Sequence, residues 1–163
     1  MSESPWVGVA APGAFAVVVP VDLQGEVRVI DWLGGEALGT LYREIGCQTV
    51  DIRTLGDLAF WVDDEGAVVA DLAANGRATW LACVVDGRGL LVAGTVVVTL
   101  AAPDEQGGTR GLARELAERV AATCRAVPVH DPDRLTARLR EVVDRGALVM
   151  TLDADGVPDG FAV

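Results

Sequence analysis

The chain contains no lysine, and among its 163 residues there is one histidine (His130), one asparagine (Asn75), one tyrosine (Tyr42), two serines (Ser2 and Ser4) and three cysteines. Without lysine, neither a Schiff base nor a P-loop can be built. A serine triad would have to bring Ser2 or Ser4 to His130 from an N-terminal tail. Cys47, Cys83 and Cys124 are widely spaced and odd in number. That pattern suits small buried hydrophobes in a reducing cytosol better than a disulfide framework or a zinc site. Cys124 stands six residues from His130, but it falls on an apolar helical stripe, so packing is its expected role. Long hydrophobic runs are also missing. The apolar stretch from Val7 to Val21 is broken by Gly8, Pro12, Gly13 and Pro20, no basic residue precedes Arg28, and no run nears the roughly 20 residues of a membrane span. Neither a secretory leader nor a membrane span is expected; a cytoplasmic protein is.

What is present describes a globular chain. Hydrophobic residues make up 51% and charged residues 23%, which excludes disorder by composition. A chain of this length buries about 70% of its unfolded surface around one core. The net charge is −11, from 24 acidic residues against 13 arginines. Phosphate backbones and anionic membranes are repelled by such a surface, so the expected partner is another protein, with a homo-oligomer left open. Most of the net negative charge falls in residues 1–103, which hold 13 acidic and 5 basic groups, against 11 and 8 in residues 104–163.

Along the chain, 15–21 and 26–32 flank the turn-like Asp22-Leu23-Gln24-Gly25 and read as a hairpin, with Val27 and Val29 on one side and Arg28, Ile30 and Trp32 on the other. A helix is predicted from Glu36 to Ile45, its inward face made by Leu38, Leu41, Tyr42 and Ile45, with Gly46 as the left-handed stop. Strands follow at 48–52 and 58–62, then Asp63-Asp64-Glu65-Gly66 as a turn before a further strand at 67–70. Asn75 caps a helix running to about Val85 with Ala78, Leu81, Ala82 and Val85 inward. The run from Gly94 to Leu100, apolar on both faces, reads as a central strand. Thr109 is the expected cap of a helix to Arg125 carrying Leu112, Leu116, Val120 and Cys124. A second helix is predicted from Asp131 to Gly146, then a last strand at 147–152 and a tail.

The fold class is therefore α+β: a mostly antiparallel sheet with helices packed on one face, plus a C-terminal helical pair. Residues 1–13 read as a flexible N-terminal tail and 14–103 as the α+β core. Residues 104–163 read as a two-helix extension, with the last strand, packed on the same domain.

Leu41-Tyr42-Arg43-Glu44-Ile45-Gly46-Cys47, then Trp61-Val62-Asp63-Asp64-Glu65-Gly66, Asn75 with Ala78-Thr79, Gly94-Thr95-Val96-Val97-Val98, and Gly107 with Gly111-Leu112 follow one another in a characteristic order. In that order and spacing, over residues 14–112, the chain resembles the domain-of-unknown-function 3846 family of small bacterial and phage proteins. The resemblance implies a cytoplasmic protein whose relatives occur on phages, plasmids and integrated elements. It brings no substrate, cofactor or catalytic residue.

The residues singled out for partner binding are Trp61, Asp63, Asp64, Glu65, Asn75 and Thr79, with Trp61 as an anchor beside three acids. No catalytic residue, metal ligand or cofactor is assigned. Acids before a glycine are normal turn chemistry, and an N-cap explains Asn75. The leading expectation is a noncatalytic acidic protein-binding or regulatory module. Two alternatives remain: a Mg²⁺-dependent hydrolase using Asp63, Asp64 and Glu65, and a DNA mimic that occupies a nuclease or DNA-binding protein.

Overall fold

Valine-rich runs build the centre of the molecule. A computed structural model describes residues 12–22, 24–64, 75–86, 92–103, 108–126, 149–152 and 158–162. Its elements, in chain order, are β1 (Pro12–Gly13), β2 (Phe15–Val19), β3 (Arg28–Asp31), α1 (Ala37–Ile45), β4 (Val50–Leu55), β5 (Leu58–Asp63), α2 (Gly76–Asp86), β6 (Val96–Leu100), β7 (Gly111–Leu112), α3 (Arg114–Arg125), β8 (Val149–Leu152) and β9 (Pro158–Ala162). The strand order across the main sheet is β3-β2-β6-β5-β4, with the short β7 and β1 continuing beyond Phe15, and the pairings are antiparallel. β8 and β9 form a separate two-stranded sheet. The class is α+β, as the composition and patterning indicate.

β2 and β6 are apolar on both faces because both faces are covered. Val17, Val19, Val96, Val98 and Leu100 pack with Phe60 under α2 and α3, while Ala16, Val18 and Val97 pack with Trp32 and Leu41 under α1. Removing each such valine, leucine or phenylalanine side chain from water stabilises the fold by about 1.5–3 kcal/mol. This corrects the expectation of a sheet covered on one face. The alternation in β3 follows the expected sides: Val27 and Val29 join the α2/α3 layer, and Ile30 and Trp32 join the α1 layer.

α1 is entered through a 3₁₀ turn at Gly34–Glu36 and ends at Gly46, whose φ of 75° lets its N–H reach the Tyr42 carbonyl. Only part of its expected inward stripe is inward. Leu41 is buried and Ile45 packs beneath it, but Leu38 and Tyr42 face solvent. Leu38 and Tyr42 stand on the flank opposite Glu44, and Glu44 reaches β3 through an ion pair with Arg28. Leu38 and Tyr42 therefore look away from β3.

α3 begins four residues later than the sequence pattern suggests, with Ala113 in place of Thr109 at its cap position. Thr109 bridges Pro103, and Gly111–Leu112 pair as strand β7 with Pro12–Gly13 and Phe15. Strand pairing prevails here because the backbones come very close: a Cβ on Gly111 would sit 2.6 Å from the Gly13 carbonyl oxygen. Leu112 is still buried in the α2/α3 core. Pro12 and Gly13, assigned to the tail, are paired, and 158–162, also read as tail, is β9. The strand at 67–70 and the helix at 131–146 lie outside the described residues, so the C-terminal pair is represented by α3 alone.

A Gly111→Ala substitution should cost about 1–3 kcal/mol by forcing those backbones apart. Gly35, which has nothing within 4 Å of its Cβ position, should accept alanine without loss. Urea unfolding midpoints of the two variants check the contrast.

Candidate functional site

Trp61 lies on the α1 side of β5, half-buried, with its Nε1 donating to Thr99 Oγ1 at 2.9 Å. Its register partner on β4 is Ile52, whose side chain shares that face and is 41% exposed. Asp63 is two residues along the same strand, opposite Val50, and so shares the face as well. Asp64 is exposed in the turn, where its N–H donates to the Thr49 carbonyl at 3.1 Å. Glu65 lies outside the described residues.

Asn75 and Thr79 are on the other side of the sheet. Asn75 is fully buried at the start of α2. Its Nδ2 donates to the carbonyls of Val19 and Gly94, both at 2.9 Å, and its Oδ1 accepts the Ala78 N–H at 3.0 Å. Thr79, also fully buried, accepts the Val92 N–H on its Oγ1 at 3.3 Å. Both side chains spend their polar atoms on the fold. The described candidates are thus divided by the sheet, with Trp61 and Asp63 on the α1 side, Asp64 in the exposed turn that follows, and Asn75 and Thr79 on the far face.

Arg77, absent from the candidates read in the sequence, is buried beside Asn75. Its guanidinium donates to the carbonyls of Pro20, Asp22 and Gly25 at 3.0, 2.9 and 2.9 Å and so closes the β2–β3 turn. An arginine one position after a helix's first residue carries no sequence signal for such a role, because the carbonyls it meets are more than fifty residues away.

The thiols are held as thiols. Burial, and then the nearby Asp63 charge, raise the Cys47 pKa, so thiolate chemistry is disfavoured there. Cys124 is buried under α3, and burial pushes it up to about 12. Among the described residues no group of three or more His, Cys, Asp or Glu side chains could hold a metal ion.

Two surface features remain. The first is apolar: Leu38, 57% exposed, and Tyr42 on the outer flank of α1, with exposed Ile52 and half-buried Trp61 on the α1 face of the sheet, Asp63 further along that face and Asp64 in the turn beyond. Among the described residues the helical cover on this face is the nine-residue α1, and Ile52 on β4 keeps an apolar side chain in contact with water. The second is a shallow groove of about 510 Å³ along β3, between Arg43 of α1 and Arg114 of α3. Tyr42 and Arg43 fall within the motif that carries the family resemblance, but helical periodicity placed Tyr42 inward, and nothing in the sequence joins Arg43 to Arg114.

The family model described as Domain of unknown function (DUF3846) matches residues 16–125, from β2 to the end of α3. No curated protein and no solved structure matches the chain.

Asn75→Ala should destabilise the protein by about 2–4 kcal/mol, since it removes a helix cap and orphans two carbonyls. Asn75→Asp keeps the cap acceptor but loses the donor, and should cost as much; denaturant titration of both variants tests this. Alkaline pH should act through Cys124. Its folded pKa of about 12 exceeds the ordinary 9.0 of the unfolded chain, so its contribution is complete below pH 9 and is lost as pH rises toward 12. The loss is up to about 1.4 kcal/mol per pH unit. Urea unfolding between pH 8.5 and 10.5 should show that slope, and Cys124→Ala should flatten it.

Proposed function

Because the chain belongs to the domain-of-unknown-function 3846 family, which brings no activity with it, its role has to be read from its own surface, and we propose that it is a noncatalytic protein-binding module of the cytoplasm, regulatory in role. One observation carries this reading: on the α1 side of the sheet Leu38, Tyr42 and Ile52 are exposed and Trp61 is half-buried, with Asp63 on the same face and Asp64 in the exposed turn after it. An aromatic anchor with exposed aliphatic neighbours is the composition of an interface centre, and an acidic rim favours a basic partner and speeds its approach. Two further observations agree with it. Cys47 and Cys124 are protonated thiols, and Asn75 and Thr79, the polar pair nearest to a ligand-binding motif, are committed to backbone groups.

No helix among the described residues is long and apolar enough to cross a membrane. The charge of −11 supports a protein partner over a nucleic acid.

The test is quantitative binding to a partner isolated from native lysate. Tyr42→Ala and Ile52→Asp alter exposed side chains and should leave folding intact, yet each should weaken binding about tenfold or more, a loss of about 1.4 kcal/mol. Asp64→Asn should reduce the association rate and its salt dependence. A captured partner that titrates equally well against wild type, Tyr42→Ala and Ile52→Asp would refute this assignment.

A further inference from the structure

We infer that β3 is an acceptor edge for an extended peptide with acidic side chains at neighbouring positions, a second binding surface separate from the apolar area above. Among the described residues β3 pairs only with β2. The direction of its free backbone groups follows from the ladder. Trp32 N–H donates to the Ala14 carbonyl at 2.7 Å, so Ala14 and Trp32 are a hydrogen-bonded pair. In an antiparallel ladder bonded and non-bonded pairs alternate. Ile30 with Ala16, and Arg28 with Val18, are then bonded to β2, while Val29 and Asp31 turn their N–H and C=O outward. Val29 and Asp31 both line the groove.

The groove is flanked above and below the sheet by one arginine each. Arg43 comes from α1 and Arg114 from α3, the helices of opposite faces. Both are loosely held. Arg43 is 70% exposed with Glu44 at 3.8 Å, and Arg114 is 64% exposed with Glu118 at 3.8 Å, its guanidinium resting over the Phe15 ring at 4.4 Å. Solvated pairs of that length contribute little, so either guanidinium can turn to a better carboxylate at small cost. Glu44 is already engaged by Arg28, which leaves Asp31 as the acid beside the edge.

An added strand would hydrogen-bond to Val29 and Asp31 and would project successive side chains to opposite faces. Two adjacent acidic residues would then reach Arg43 on one side and Arg114 on the other. This two-sided placement selects the occupant by charge. A second copy of the chain is the competing occupant, but it would bring a net charge of −11 against an equal one.

The probe is a labelled peptide of about nine residues, alternating threonine and valine around a central aspartate-glutamate pair, long enough to pass both ends of the four-residue strand. Saturable binding is expected in fluorescence anisotropy, with amide shifts in NMR concentrated at Val29 and Asp31. Binding should fall about tenfold or more for the asparagine-glutamine version of the peptide and for the Arg43→Gln, Arg114→Gln double variant. It should vanish when the central peptide amides are N-methylated, a change that cannot disturb the protein's own folding. Equal binding of the methylated or neutral peptide would overturn the inference. So would shifts centred on Leu38 and Tyr42, or dimerisation through β3 in sedimentation analysis. Tyr42→Ala and Ile52→Asp should bind the peptide normally, so this surface and the apolar one can fail independently.

Discussion

The Asn75 side chain joins the end of β2, the approach to β6 and the first turn of α2. Its two amide protons satisfy carbonyls of Val19 and Gly94, and its oxygen satisfies Ala78, all in a place without solvent. A buried carbonyl or N–H left without a partner costs about 1–3 kcal/mol, and two carbonyls and one N–H depend on this one side chain. Arg77, two positions on, does the same for the β2–β3 turn with three carbonyls. Together they determine how α2 sits on the sheet, and α2 with α3 makes the larger layer of the core.

From that layer the rest follows by area. α2 and α3 cover one face, and the nine-residue α1 with Trp32 covers part of the other. Among the described residues the part without helical cover lies over β5 and β4, where Ile52 remains exposed and Trp61 remains half-buried despite its hydrogen bond to Thr99. The opposite margin of the sheet, β3, is held between α1 and α3, which supply a guanidinium on each side. The two surfaces proposed for binding are thus consequences of covering a broad sheet unequally.

Patterning made much of the fold legible. The hairpin of β2 and β3, the two sides of β3, Gly46 at the end of α1, Asn75 at the start of α2 and the central place of β6 all follow from period, turn chemistry and capping. The errors share one cause. Thr109 reads as a cap and Leu112 as a helical residue because the local sequence permits it, yet Gly111 and Gly13 meet across the chain and pairing wins. Leu38 and Tyr42 have helical spacing for burial, but whether a stripe is buried depends on what lies opposite it. The candidate site divided for the same reason: Trp61 and Asn75 belong to conspicuous segments, and only the sheet between them separates their roles.

Composition and local order by themselves determined the class of fold and limited which side-chain chemistries are available. A chain with one histidine, no lysine and widely spaced cysteines has few routes to catalysis, and its valine-rich runs with glycine and aspartate turns demand a sheet. Tertiary structure decided which side chains were left for function. Burial is a property of pairs of surfaces, so the inward turn of Asn75, Thr79 and Arg77, the exposure of Leu38, Tyr42 and Ile52, and the meeting of Arg43 with Arg114 across β3 arise only when distant segments pack together.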